Sequence, residues 1–197
     1  MREKLFQYMA AYTDLTEAEQ RSIIEALDVR EIAKGTYLTS QGYMLDPTIC
    51  YFILAGCVRQ YHIDERGKEI TTSFFTEDHV ILLANFAKQD QTSKYSLTCM
   101  EDCILVVGDM ESELDMYQQY SGLETMTRRM MENYYGQTRN ELANFISSSP
   151  EERYKSIAQS RPDFLTRVPQ HQLASYLGIT PESLSRIKKR IQHSSSI

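Results

Sequence analysis

The densest run of hydrogen-bonding side chains in this 197-residue sequence lies near its end. Thr180, Pro181, Glu182, Ser183, Ser185, Arg186, Lys188, Lys189 and Arg190 follow one another with few apolar interruptions. Hydroxyls, one carboxylate and four cations suit recognition more than bond-breaking, because they pair with phosphate oxygens and with base edges. One element must hold them on a common face. Leu184, Ile187 and Ile191 recur at three and four residues, which predicts a helix whose buried stripe is this trio and whose opposite face is the polar set. Thr180 is a suitable N-cap, Pro181 suits the first helical position, and Glu182 complements the positive end of the helix dipole.

A second helix must precede this one. Leu173, Ala174 and Leu177 share an apolar face, and Gly178 follows where the helix ends and a positive φ is needed. Ile179 is an apolar plug. Ala174, four residues before Gly178, is the small residue that two closely crossing helices require. The spacing of Ala174, Gly178, Leu184 and Ile187 within Val168–Ile191 is that of a helix-turn-helix. The plain alternative is an αα-corner packed in a core, its cations merely solvated. The basic end of the second helix favours double-stranded DNA as the partner.

Charge distribution agrees with a separate reading part. The net charge is −6, but residues 151–197 carry eight basic and four acidic side chains, whereas residues 1–150 carry thirteen and twenty-three. Phosphate attraction is local, so an acidic body with a basic end is compatible with DNA binding. No apolar run approaches a membrane span and the start lacks a signal-peptide cleavage site, so a cytoplasmic protein without a membrane partner is expected.

Catalysis and metal binding find little support. Cys50, Cys57, Cys99 and Cys103 lack C-x-x-C spacing, with no histidine at ligand distance. Reduced thiols buried in a β-fold are expected, with a thiol or iron–sulfur redox sensor as the alternative. The histidines, His62, His79, His171 and His193, are scattered, which argues against a cupin-type metalloenzyme. No metal, no cofactor and no enzyme activity are expected.

The remaining chain supplies the frame. Residues 3–27 read as helical, with Thr16 and Glu19 forming a capping box. From Val29 to about Val107, short β-rich runs are divided by Gly35, Gly42, Gly56 and Gly67, with Asp64–Gly67 as a hairpin loop. This pattern suggests an antiparallel sandwich, roll or jelly roll. Residues 77–94 interrupt the strands as a short helix or loop over the barrel mouth. Helices are expected over Asp109–Tyr120 and from about Ser121 to Ile146, followed by a break at 147–153 and another short helix. On the long helix, Leu123, Met126, Met130, Tyr134 and Leu142 form a stripe too apolar for water. It lies on the β-domain, pairs with its copy in a homodimer, or does both.

Gly56-Cys57-Val58-Arg59, then Gly67-Lys68-Glu69, a long helix, Pro150–Tyr154 and finally VPQHQLASYLGITPESLSRIKKRI together resemble the Crp/Fnr family of bacterial transcription regulators. The resemblance implies an α+β protein: an N-terminal β-roll or jelly roll of the cyclic-nucleotide-binding type (1–120), a dimerisation helix (121–147), and a winged-helix-like helix-turn-helix domain (148–197). It also implies base-reading roles for Glu182 and Arg186. Arg can donate twice to guanine and Glu can accept from cytosine. Pro181 replaces a basic residue often used at that position. Thr180, Ser183, Lys188 and Lys189 are expected at phosphates.

Departures from the family pattern also carry information. Where a cyclic-nucleotide binder would place Gly-Glu, this sequence has Leu82-Leu83, and its later phosphate position reads Ser93-Lys94-Tyr95. Two leucines offer neither a backbone cradle nor a guanidinium fork, so no cyclic AMP binding is expected. Leu82, Leu83, Asn85, Lys94 and Tyr95 remain the candidate effector pocket, for an unknown small molecule or for none. His62 and His79 are candidate haem ligands by family analogy but are expected as packing or surface residues. After Ile191 only QHSSSI remains, so at most a small wing, formed before Pro169, is expected. RNA polymerase is a further candidate partner. The competing reading is a ligand-binding or protein-interaction module that binds no specific DNA.

Overall fold

The computed structural model describes residues 2–194. Two helices lead, α1 (Arg2–Tyr12) and α2 (Glu17–Ala26), and the Thr16–Glu19 capping box opens the second. Eight strands follow: β1 (Asp28–Ile32), β2 (Tyr37–Thr39), β3 (Ile49–Ala55), β4 (Val58–Ile63), β5 (Glu69–Phe75), β6 (Val80–Leu82), β7 (Ser96–Cys99) and β8 (Cys103–Asp109). They form two antiparallel four-stranded sheets in the orders β1-β8-β3-β6 and β2-β7-β4-β5. Alternation along the strands sends Ile53, Val58, Ile81, Leu97 and Leu105 into the space between the sheets, where all are fully buried.

Each sheet also has an apolar outer face, which explains why the roll needs helices on both sides. Behind the first sheet, Leu54 and Val106 pack with Leu5, Met9, Ile23 and Ile24 of the lead-in helices. Behind the second, Cys57 and Phe74 pack with the C-terminal helices. At the β3–β4 turn Gly56 has φ +110°, and a Cβ there would stand 2.5 Å from the Cys103 sulfur. Only glycine fits. Two of the sequence motifs meet one strand later: Arg59, buried under Tyr61, donates to the Glu69 carboxylate at 2.7 Å and to the Thr71 hydroxyl at 2.9 Å. The hairpin after β4 closes as expected, with the Asp64 carboxylate accepting from the Arg66 and Lys68 amides, both at 2.9 Å.

Beyond the roll lie α3 (Met110–Gln119), α4 (Ser121–Ser147), α5 (Pro150–Ser160), α6 (Phe164–Arg167), α7 (Gln170–Tyr176) and α8 (Pro181–Ser194). Two expectations need correction. Residues 77–94 are not only a cap, since β6 pairs with β3 through Cys50↔Leu82 and Phe52↔Val80, and a 3₁₀ turn, Leu83–Phe86, follows it. Before Pro169 the chain forms α5, the short helix expected there and opened by a Ser149–Glu152 capping box, and α6; among the described residues no strand follows β8, within the limit of at most a small wing. The α4 stripe also divides. Leu123 and Met126 are buried in the core shared with α1 and α2, and Met130 packs at its edge. Tyr134 meets the His79 ring edge-on at 6.0 Å. These four side chains are therefore occupied within the chain, and only Leu142 of the set stands exposed, at 58%.

Candidate nucleic-acid interface

The turn between α7 and α8 has the geometry its residues demand. Gly178 adopts φ +73°, and the Ile179 amide reaches back to the Ala174 carbonyl at 3.0 Å. Ala174, Leu177 and Leu184 are fully buried and Ile187 nearly so, so the two helices meet along the anticipated stripe. The Thr180 hydroxyl accepts from the Ser183 amide at 3.3 Å, capping α8. Its own backbone amide and the Thr180 hydroxyl hold the Glu182 carboxyl below its ordinary value, with a smaller contribution from the Arg186 charge one turn on.

Opposite this stripe, Thr180, Pro181, Glu182, Ser185, Arg186 and Lys189 are exposed, while Ser183 and Lys188 are half-buried. The cations are not equivalent. The Lys188 ammonium leans over the Tyr154 ring at 5.9 Å, and Arg190 is tied to the Glu151 carboxylate at 2.8 Å. Arg186 and Lys189 are thus the exposed basic groups best placed for an incoming polyanion. The side chain of His193 lies outside the described residues.

This helix pair does not hang from α4; it is seated on the outer face of β5. The Ser175 hydroxyl accepts from the Thr71 amide at 3.0 Å and donates to the Glu69 carbonyl at 3.2 Å. Phe74 meets Phe164 and Tyr176 edge-on, at 5.0 and 5.5 Å between ring centres. Tyr176 also touches Phe145 near the end of α4, and burial pushes its phenol pKa up. Arg153 is the joint: its guanidinium lies 3.7 Å over the Phe145 ring, with its Nε donating to the Phe145 carbonyl at 2.9 Å. Arg167 clamps the assembly, donating to Glu77 at 2.9 and 3.1 Å, to Glu101 at 3.0 Å and to Asp163 at 3.1 Å. Burial alone would raise the Glu77 carboxyl, but the Arg167 guanidinium and the Gly56 amide outweigh it and hold the group below its ordinary value.

None of the residues Ser175, Tyr176, Arg153, Glu77 and Arg167 was singled out as a contact by sequence reasoning. Glu77 and Glu101 lie in turns far from residue 167, and no periodicity links them. The PEERY stretch did contain Arg153, but as a motif letter without a partner.

The candidate effector residues do not converge. Leu83 is buried in the roll and Tyr95 packs against that core, beside His62 at 6.0 Å between ring centres, whereas Asn85 and Lys94 are exposed. Leu82 faces the other way, toward a cavity behind the first sheet. His79 is held by its ring nitrogen at the Thr76 and Glu77 carbonyls, 3.0 and 3.1 Å away. All four cysteines are reduced and buried, and the Cys57 thiol is pushed up to about 12 by burial. Among the described residues no three His, Cys, Asp or Glu side chains gather as a metal-ligand set, and no helix is long and apolar enough to cross a membrane.

Comparison with known proteins places this geometry. Residues 29–120 match the cyclic nucleotide-binding domain family. No curated protein matches the sequence. Among solved structures, a Crp/Fnr-family transcriptional regulator from Eubacterium rectale superposes with a TM-score of 0.64 at 19% identity, over 95% of this chain and 88% of that one. A CooA variant from Carboxydothermus hydrogenoformans gives 0.65 at 11% identity, over 88% and 79%. FixK2 from Bradyrhizobium japonicum gives 0.60 at 13% identity, over 86% of each. The matched family and these neighbours are binding proteins and regulators. Residues 29–120 thus match that domain family, and the chain as a whole has the fold seen in a Crp/Fnr-family transcriptional regulator.

Proposed function

We propose that the chain is a homodimeric, DNA-binding transcription regulator of the Crp/Fnr type, not an enzyme, that works in the cytoplasm and does not respond to cyclic AMP. Residues 1–120 sense, 121–147 connect and pair, and 148–197 read DNA. The observation that carries this reading is the exposed polar face of α8, held outward by the buried Leu184 and Ile187. Arg186 and Glu182 read base edges, and Thr180, Ser183, Lys188 and Lys189 set register on phosphates. RNA polymerase is the expected protein partner where the regulator activates.

Pairing uses a different stripe from the one first expected. Tyr135, Leu142 and Ile146 recur at seven and four residues along α4 and are 69%, 58% and 73% exposed, the pattern of a two-helix seam. A second copy laid along it brings two α8 helices to one duplex. Insensitivity to cyclic AMP rests on the burial of Leu83 and on Tyr95 filling the roll where a phosphate would need a cradle.

Selection of bound sequences from random duplex DNA tests the reading directly. The expected product is a near-palindrome with half-sites about 34 Å apart. Recovery of no enriched sequence, with no mobility shift on any fragment, would instead support an interaction module that does not read DNA.

A further inference from the structure

Behind the sheet β1-β8-β3-β6, beneath the lead-in helices and the first half of α4, lies a cavity of about 640 Å³. That volume suits a drug-sized molecule. It is separate from the space between the sheets, because Cys50, Phe52, Val106 and Leu82 reach it from the outer face of their strands. Five of the nine methionines, Met9, Met116, Met126, Met130 and Met131, line it. Unbranched, polarisable thioethers at this density adapt to varied apolar shapes instead of specifying one packing.

Among the polar groups on its wall are the ion pair of Asp28 with Arg30, closed at 2.6 Å, and the carboxylate of Glu113. Glu113 sits at the base of α3, where one carboxylate oxygen accepts from the Cys50 thiol at 3.4 Å and the other from the Tyr117 hydroxyl at 3.0 Å. Gly108 makes room for this arrangement, since a Cβ there would stand 2.5 Å from the Cys50 sulfur and 2.9 Å from the carboxylate. A carboxylate seated in a notch beside aromatic rings repels anions and attracts cations.

We propose that this cavity binds a lipophilic cation, an ammonium or phosphonium on a bulky apolar body, with its charge at Glu113 and its apolar part among the methionines. Binding stands by itself. Any effect on DNA rests on the regulator reading, through α4, which forms one wall and continues toward the reading helices.

Calorimetric titration of the full chain with tetraphenylphosphonium, and with tetraphenylborate as its anion of like shape, tests this. The cation should bind once per chain with micromolar affinity, and the anion at least about tenfold more weakly. Glu113→Gln should lower cation affinity about tenfold and close the gap between the two ions. Met130→Trp, at the edge of the cavity, should abolish binding of both while leaving the melting transition in place. Failure of the wild-type chain to bind the cation overturns the proposal, as does equal affinity for the two ions or indifference to Glu113→Gln. Loss of cation binding in step with dimer formation would make a second copy the occupant and overturns it too. Cation binding by a chain that selects no DNA would sink only the regulator reading.

Discussion

The two outer faces of the roll are covered in different ways. Behind β2-β7-β4-β5 the cover is sealed: Phe74 is locked between Phe164 and Tyr176, Ser175 bonds the β5 backbone, and Arg167 bridges Glu77, Glu101 and Asp163. Behind β1-β8-β3-β6 the cover is methionine-rich and leaves a 640 Å³ void. Rings with fixed edge-to-face geometry and a guanidinium fork specify one arrangement, whereas thioethers accept several. The first face therefore fixes α7 against the roll, and the second leaves room for the ligand proposed above. α4 touches both, with Met126 at one end and Phe145 at the other.

The contrast can be broken by substitution, and the largest effect is expected at Phe74. Phe74→Ala should cost about 3–5 kcal/mol in denaturant unfolding, because it empties the centre of the sealed face. At the reading helix the expected effects are smaller and separable. Arg186→Ala should lose about 1–3 kcal/mol at one base position only. Lys189→Ala should weaken binding to every sequence and flatten the salt slope by about 0.9. Equal losses on all sequences for both variants would refute the division of roles. Arg167→Gln, which leaves two facing carboxylates half in water, should cost about 1–2 kcal/mol. On the loose face, Met130→Ala removes atoms that already border a void and should cost under about 1 kcal/mol; a cost comparable to Phe74→Ala would erase the distinction.

Acid sharpens the same comparison with the smallest expected effect. Glu77 is held below its ordinary 4.5 in the folded chain. Its contribution is therefore fully present above that value and is lost as pH falls through the lowered one. Mild acidification below about pH 4.5 should loosen the Arg167 clamp, read as amide exchange rising in α6 and α7. Exchange that rises there only at neutral or alkaline pH would contradict the sign.

How much of this was legible beforehand depends on whether the signal was local. Gly178, Ala174 and the Leu184–Ile187 stripe were readable because turn conformation and helical period are set by neighbours in sequence. The Thr16–Glu19 box and the Asp64–Gly67 hairpin were readable for the same reason. The α4 stripe was correctly seen as apolar, yet its occupant was not determined: Leu123 and Met126 turned to α1 and α2, and Tyr135, Leu142 and Ile146 were left exposed. Periodicity marks a buried face but does not name what buries it. The helix before Pro169 was readable too, because Pro150 and the acidic first turn of α5 are local signals.

By itself, then, the order of residues determined the elements, the turn between α7 and α8 and the outward polar face of the last helix, since each depends on contacts within a few positions. Tertiary structure alone decided that Arg167 would find Glu77 and Glu101, that Tyr176 would join the roll and the long helix to α7, and that five methionines would line one void. Those outcomes bring together side chains tens of residues apart. Such juxtapositions depend on how three sets of apolar surface share the two backs of one roll, and no short window of sequence carries that information.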